Sequence, residues 1–216
     1  MHTRFGLSKG DYSLLRKLNT PVKIQDYLDK LPINFEETGE TYMSVSRALR
    51  EKKVHCMEAA LIAACALWVN GGVPLLMDFK THNDEDHVVA LFKKDGYWGA
   101  ISKTNHAVLR YRDPVYRTQR ELALSYFHEY TNAHKKGIKS LRSFSVPFNL
   151  LRYKKLDKDL EWVTSEEDLH YIAEDIDDIK HIPLITEKMA KGLRNATEFE
   201  RKVIDGNVEW SKSKKL

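Results

Sequence analysis

Cysteine is scarce: Cys56 and Cys65 are the two in 216 residues. Both fall on one helix-prone stretch, at a spacing that turns them in roughly opposite directions. A disulfide between them is excluded unless that helix breaks, and a reducing, cytoplasmic setting is expected. Long apolar runs are also missing. The longest, 59–69, stops at Asn70-Gly71-Gly72, short of the roughly 20 residues that a membrane span needs. Residues 1–9 hold no apolar core of a leader, so no secretory signal is expected. Nor does one sign of charge dominate: 35 basic and 31 acidic residues leave a formal net charge of +4. A mixed surface of that kind is no nucleic-acid footprint, and the short basic tail Lys212-Ser213-Lys214-Lys215 is expected to be frayed and solvated. Internal repeats and low-complexity linkers are absent as well.

A composition that is 42% hydrophobic and 31% charged is that of a soluble globular protein. Its length suits one domain, 1–216, with a core over about 20–150 and a C-terminal extension over 151–216. Residues 11–18 read as a short helix. Thr20-Pro21 is a cap followed by proline, and it starts a second helix with Val22, Ile24, Tyr27, Leu28 and Leu31 on its apolar face. Residues 34–41 are loop-like, and Ser44 caps a third helix with Val45, Ala48 and Leu49 inward. Past Asn70-Gly71-Gly72, strands are expected over 73–79, 88–92 and 97–104, the last two joined at the hairpin signal Asp95-Gly96. A helix is expected over 117–131, carrying Leu122, Leu124, Tyr126, Phe127 and Tyr130. From Leu141 the chain reads as irregular and then acidic. Ser165-Glu166-Glu167-Asp168 is a helix start, and Glu174, Asp175, Asp177 and Asp178 form a solvated face.

The chemistry concentrates at 54–67. The polar run Arg50-Glu51-Lys52-Lys53 leads into Cys56, where an Ala/Leu-rich stretch begins at once. Such a stretch is a helix on propensity alone, and its lack of polar groups buries it. A cysteine on the first turn of a buried helix sits among unpaired N–H groups at the positive dipole end, which favours the thiolate form. His87 opens the second strand, and a cysteine and a histidine so placed are two halves of a nucleophile. Counting back from a two-residue Asp95-Gly96 loop pairs Lys94 with Tyr97 and sets Val89 opposite Ser102. His87, Ser102 and Thr104 then share a face, while Asn105 points away unless the strand bulges. The group orienting His87 is therefore expected to be Ser102 or, with such a bulge, Asn105. Cys65, Met57, the alanines and Trp98 read as core, and Glu58 as a first-turn carboxylate.

Neither metal nor cofactor is expected. His82, Asp84, Asp86 and His87 all have ligand-type side chains but no closed four-ligand spacing. Arg110, Arg112, Arg117 and Arg120 could clasp an anion, but pairing with Asp113 and Glu121 as surface charges is the expected state.

Helix-borne Cys56, Gly72-Val73-Pro74 opening a strand, Asp86-His87 opening the next and Trp98 in the third together resemble the transglutaminase-like superfamily. Residues 99–106 and 109–116 are also similar to uncharacterised bacterial members. The likeness implies an α+β fold in the transglutaminase or papain-like manner: a helical N-terminal half, its central cysteine-bearing helix packed on a small antiparallel sheet. It also implies Cys56 as nucleophile, His87 as base, and thiol-dependent acyl hydrolysis or transfer on a protein or peptide-like substrate. Ser102 occupies the position where the family usually has the triad Asp. A serine accepts the imidazole N–H but brings no negative charge, so the rival expectation is a non-catalytic binding module on the same fold.

Overall fold

The computed structural model describes residues 5–36, 39–106, 108–132, 136–155 and 160–204. The basic tail and the first four residues lie outside that set. Helices α1 (Lys9–Lys17), α2 (Pro21–Asp29) and α3 (Val45–Glu51) start on Ser8, Thr20 and Ser44, whose hydroxyls accept from the N–H groups of Asp11, Lys23 and Arg47. Each hydroxyl satisfies one of the N–H groups a helix start leaves open. Helix α4 (Cys56–Val69) is buried along almost its whole length, as a helix apolar on every side must be. Asn70 closes it, its amide donating to the carbonyls of Leu15, Leu18 and Ala66 and so tying α4 to α1.

The strands that follow are β1 (Leu75–Thr81), β2 (His87–Lys94), β3 (Tyr97–Ile101) and β4 (Arg112–Tyr116). After α5 (Gln119–Tyr126) come β5 (Thr131–Asn132), β6 (Ile138–Lys139), β7 (Leu141–Ser145) and β8 (Phe148–Asn149). A 3-10 turn (Leu150–Lys155) leads to α6 (Glu161–Thr164), α7 (His170–Asp178), β9 (His181–Pro183), α8 (Glu187–Lys191) and α9 (Glu198–Ile204). The main sheet is antiparallel and runs β4-β3-β2-β1-β7-β9, with β8 also on β1; β5 and β6 pair separately. The chain is thus a mixed α+β protein with its first four helices ahead of the sheet. Among the described residues no helix is long and apolar enough to cross a membrane.

Both faces of the sheet are covered, which is why β2 is a continuous apolar run. Leu76, Val88, Ala90, Phe92 and Ile101 face α4, in a cluster that also takes in Trp162 and Ile172 from beyond residue 150. Met77, Phe79, Val89, Leu91 and Ala100 face Leu122, Ala123 and Tyr126 of α5. The β2–β3 register runs from Lys94↔Tyr97 to Ala90↔Ile101, the pairing that the Asp95-Gly96 loop dictates.

Four sequence expectations change. At seven strands the sheet is not small. The helix expected over 117–131 stops at Tyr126, where a turn through Phe127–Glu129 gives way to β5. The segment from Leu141, read as irregular, is strand β7, paired between β1 and the edge strand β9; a register shift at Lys80/Thr81 disrupts its apolar alternation. Finally, the acidic face of α7 is exposed at Glu174, Asp177 and Asp178 as expected, but two of its carboxylates also make contacts: Asp175 accepts from Tyr153 at 2.7 Å, and Asp177 pairs with Lys80.

Gly99 sits where the β3–β4 register shifts. A Cβ there would collide with the Phe92 ring and come within 2.7 Å of the Arg112 carbonyl. Gly99→Ala is therefore expected to cost about 1–3 kcal/mol through overpacking. Denaturant unfolding checks it, and an unchanged midpoint would contradict the close approach.

Candidate functional site

The start of α4 is fixed before the helix begins. Val54 forms a parallel bridge with Ile33: its N–H donates to the Pro32 carbonyl at 3.1 Å and its carbonyl accepts from Asn34 at 3.0 Å. His55 follows as the extended N-cap residue, and Glu58 reaches back to accept its backbone N–H at 2.7 Å. This is the carboxylate half of a capping box. Glu58 is fully buried and also accepts from Met43 N–H at 3.3 Å. Burial pushes its carboxyl up from the ordinary value, and the backbone N–H groups of His55 and Met43 pull it back. The cap leaves Cys56 on the first turn, half-buried, with no acceptor for its backbone N–H among the described residues. Its Sγ lies 3.4 Å from Nδ1 of His55. Cys65, deep in the same helix, is fully buried, and burial pushes its thiol well up.

His87 opens β2 and is 6% exposed; its Nε2 lies 2.8 Å from Oγ of Ser102. The Ser102 hydroxyl also lies 2.5 Å from the Leu109 carbonyl, to which it donates. A hydroxyl carries one proton. With that proton on Leu109, Ser102 has only a lone pair for the imidazole, so Nε2 of His87 is the donor. Neutral His87 therefore leaves Nδ1 unprotonated.

The surroundings hold Ser102 in place. Gln25, buried on α2, accepts from Ser102 N–H at 3.0 Å and donates to its carbonyl at 2.8 Å, taking the place of a neighbouring strand where β3 ends. Leu109 adopts φ +60°, a conformation that costs a leucine about 1–3 kcal/mol. Its N–H donates to Glu129 at 2.8 Å, and Glu129 in turn accepts from Arg112 at 2.6 Å.

Cys56, His55, His87 and Asn105 line one cleft of about 730 Å³. Asn105 is exposed, and among the described residues no hydrogen bond joins it to His87. The structure therefore brings His87 to Ser102 and leaves Asn105 on the wall. No hydrogen bond joins Cys56 to His87 among the described residues; the imidazole touching the sulfur is that of His55. Tyr130 also lines the cleft, with its hydroxyl buried and without a hydrogen-bond partner among the described residues. Burial, then the charges of Cys56 and Asp78, push that phenol well above its ordinary value. A second cleft of about 400 Å³ meets the first at His55 and Cys56, and Glu36, Glu40, Glu85 and Asp86 lie along it.

The loop residues weighed as ligands have other partners. Asp84 accepts from Ser140 at 2.6 Å, Asp86 from Thr81 N–H at 2.8 Å, and His82 lies against the Asn83 amide at 2.9 Å. Among the described residues, the carboxylates close enough to share an ion are Asp78, Asp86 and Asp177. The Lys80 ammonium already sits among them, at 3.5, 2.8 and 2.5 Å. Of the arginines, Arg112 pairs with Glu129, Arg110 with Asp29, and Arg120 donates to the Pro183 and Leu184 carbonyls. The expected ion pairs with Asp113 and Glu121 do not form among the described residues; Glu121 accepts the backbone N–H of Arg117.

Sequence reasoning missed His55, Gln25 and Tyr130. His55 carried a usable signal, since an N-cap side chain and a first-turn side chain share the mouth of a helix. Gln25 carried none, its partner Ser102 being 77 positions away. No protein-family model matches the chain, and no curated protein matches it significantly.

The hydroxyl's single proton has a spectroscopic consequence. At a pH where His87 is neutral, its 15N shifts should show the Nε2–H tautomer, and Ser102→Ala should reduce that preference. A dominant Nδ1–H form in the wild type would contradict the relay to Leu109.

Proposed function

We propose that this chain performs thiol-dependent acyl chemistry, hydrolysis or transfer, on an amide or peptide-like bond. Cys56 is the nucleophile and His87 the proton carrier, in the manner of the transglutaminase-like superfamily that its motifs resemble. The observation that supports this best is the hydrogen bond between His87 and a Ser102 hydroxyl already committed to Leu109. A buried imidazole on the wall of the Cys56 cleft is oriented through Nε2, which leaves Nδ1 as a base. The Cys56 sulfur forms a bond to the carbonyl carbon, and the oxygen gains negative charge beside the open Cys56 N–H. The carbon–nitrogen bond then breaks, the departing amine taking the proton that came off the Cys56 thiol; water or an amine next attacks the acyl carbon, giving its proton to His87 as the sulfur leaves. Hydrolysis and transfer share that acyl-enzyme.

One observation favours a second reading, a peptide- or protein-binding module on the same fold. Ser102 supplies His87 with a hydrogen bond and no charge, and imidazolium gains less from it than from a carboxylate. Thiol labelling and turnover separate the two. Iodoacetamide at neutral pH should label Cys56 well before Cys65 in the folded protein. A mixture of peptide amides should be turned over by the wild type and lost by more than about 10³-fold in Cys56→Ala. Equal labelling of the two thiols, with no turnover, would leave the binding module.

A further inference from the structure

Of the histidines that line the Cys56 cleft, His55 and His87 differ in their surroundings. His87 is backed by the neutral hydroxyl of Ser102. His55 has its Nδ1 3.4 Å from the sulfur and lines the second cleft, along which carboxylates stand. From the structure we infer that His55, not His87, takes the proton of the Cys56 thiol, so that the resting nucleophile is a Cys56 thiolate paired with a His55 imidazolium. The inference rests on Cys56 being the nucleophile of the proposed acyl chemistry.

In that step the S–H bond breaks, an Nδ1–H bond forms on His55, and the electron pair stays on sulfur. Once the thiolate has attacked, the departing amine leaves with the His55 proton. His87 is then free to take the proton of the water or amine that releases the acyl group. When the thiolate is expelled, the proton passes from His87 back to His55, and the resting pair is restored.

Electrostatics favours an imidazolium at this end of the cleft. The charged and titratable groups around His55 are Glu58 from its own helix, Glu36, Glu40 and Tyr42 from the segment before α3, Asp78 of β1, Asp84, Glu85 and Asp86 from the β1–β2 loop, and Asp177 of α7; across the first cleft stand Glu129, Tyr130, His106 and one cation, Lys103, whose ammonium is turned to the Leu31 carbonyl. Asp177 and Asp86 are partly neutralised by Lys80. The remaining carboxylates repel a lone thiolate but attract an imidazolium, so a proton moved from sulfur to His55 leaves a cation between negative groups. Glu36, Glu85 and Asp86 line the cleft of His87 as well, so contact separates the two imidazoles: the one 3.4 Å from the sulfur is His55. Two neighbouring side chains at a helix mouth thus do the work that a distant Cys–His pair backed by a carboxylate would do.

The test is the rate of Cys56 alkylation by iodoacetamide from pH 5.5 to 9, read by mass spectrometry in wild type, His55→Asn, His87→Asn and His128→Asn. Asparagine is itself a favoured N-cap, and His55→Ser is the second variant should His55→Asn not fold; melting temperatures check both. His55→Asn should slow alkylation at pH 6 by at least about tenfold and rejoin the wild type near pH 9, where the thiol ionises unaided. His128→Asn, at an exposed histidine that lines neither cleft, should follow the wild type throughout. A His55 variant that follows the wild type, or a loss at pH 6 carried by His87→Asn alone, overturns the inference. Alkylation needs no substrate, so an absence of amide turnover alongside the expected profile would sink the acyl reading and leave the His55–Cys56 pair standing.

Discussion

One hydroxyl proton sets the chemistry of this site. Ser102 has a single O–H, and the Leu109 carbonyl 2.5 Å away takes it. Everything that follows at His87 is a consequence: Ser102 can only accept, so Nε2 must donate and Nδ1 is left bare. Were that O–H free to turn towards His87, the imidazole would be held in the opposite tautomer, with its basic nitrogen spent on the serine. The position of one backbone carbonyl therefore decides which nitrogen of a histidine is available.

That carbonyl is held at a cost. Leu109 lies in a left-handed conformation that leucine disfavours, and it is kept there from both sides, its N–H on Glu129 and its carbonyl on Ser102. Glu129 is itself held by Arg112, whose guanidinium stacks 4.0 Å over the Tyr126 ring of α5. On the other side of Ser102, Gln25 brings in α2. Helix α2, ahead of the sheet, and α5, between its strands, thus converge on one serine at the point where β3 ends. Strain concentrated at a cleft and compensated by its surroundings is the pattern expected of a functional site.

Much of this was legible in the sequence where the cause was local. The Ala/Leu run fixed α4, the hydroxyl caps fixed the helix starts, and Asp95-Gly96 fixed the hairpin register, from which Ser102 follows as a neighbour of His87. What failed to show depended on distant partners or on broken periodicity. Strand β7 hid because the register shift at Lys80/Thr81 leaves Leu141 and Phe144 out of simple alternation. The helix after β4 was read too long because its apolar residues continue past Tyr126 into a turn and β5. Asn105 had suitable chemistry, but β3 stops pairing at Ile101 and the chain that follows carries Asn105 to the exposed wall. His55 is the exception among the missed residues, since its signal is local: the residue beside the cysteine sits at the same helix end.

The central claim is that an acyl group forms on Cys56, with its oxygen received at the start of α4. The most direct measurement is a crystal structure of the protein treated with a peptide aldehyde, which captures a thiolate as a thiohemiacetal. The adduct should sit on Cys56, its oxygen about 2.7–3.1 Å from the Cys56 backbone nitrogen and its peptide lying in the cleft between His55 and His87. An unmodified Cys56 at saturating aldehyde, or an adduct whose oxygen turns away from the helix start, would contradict it.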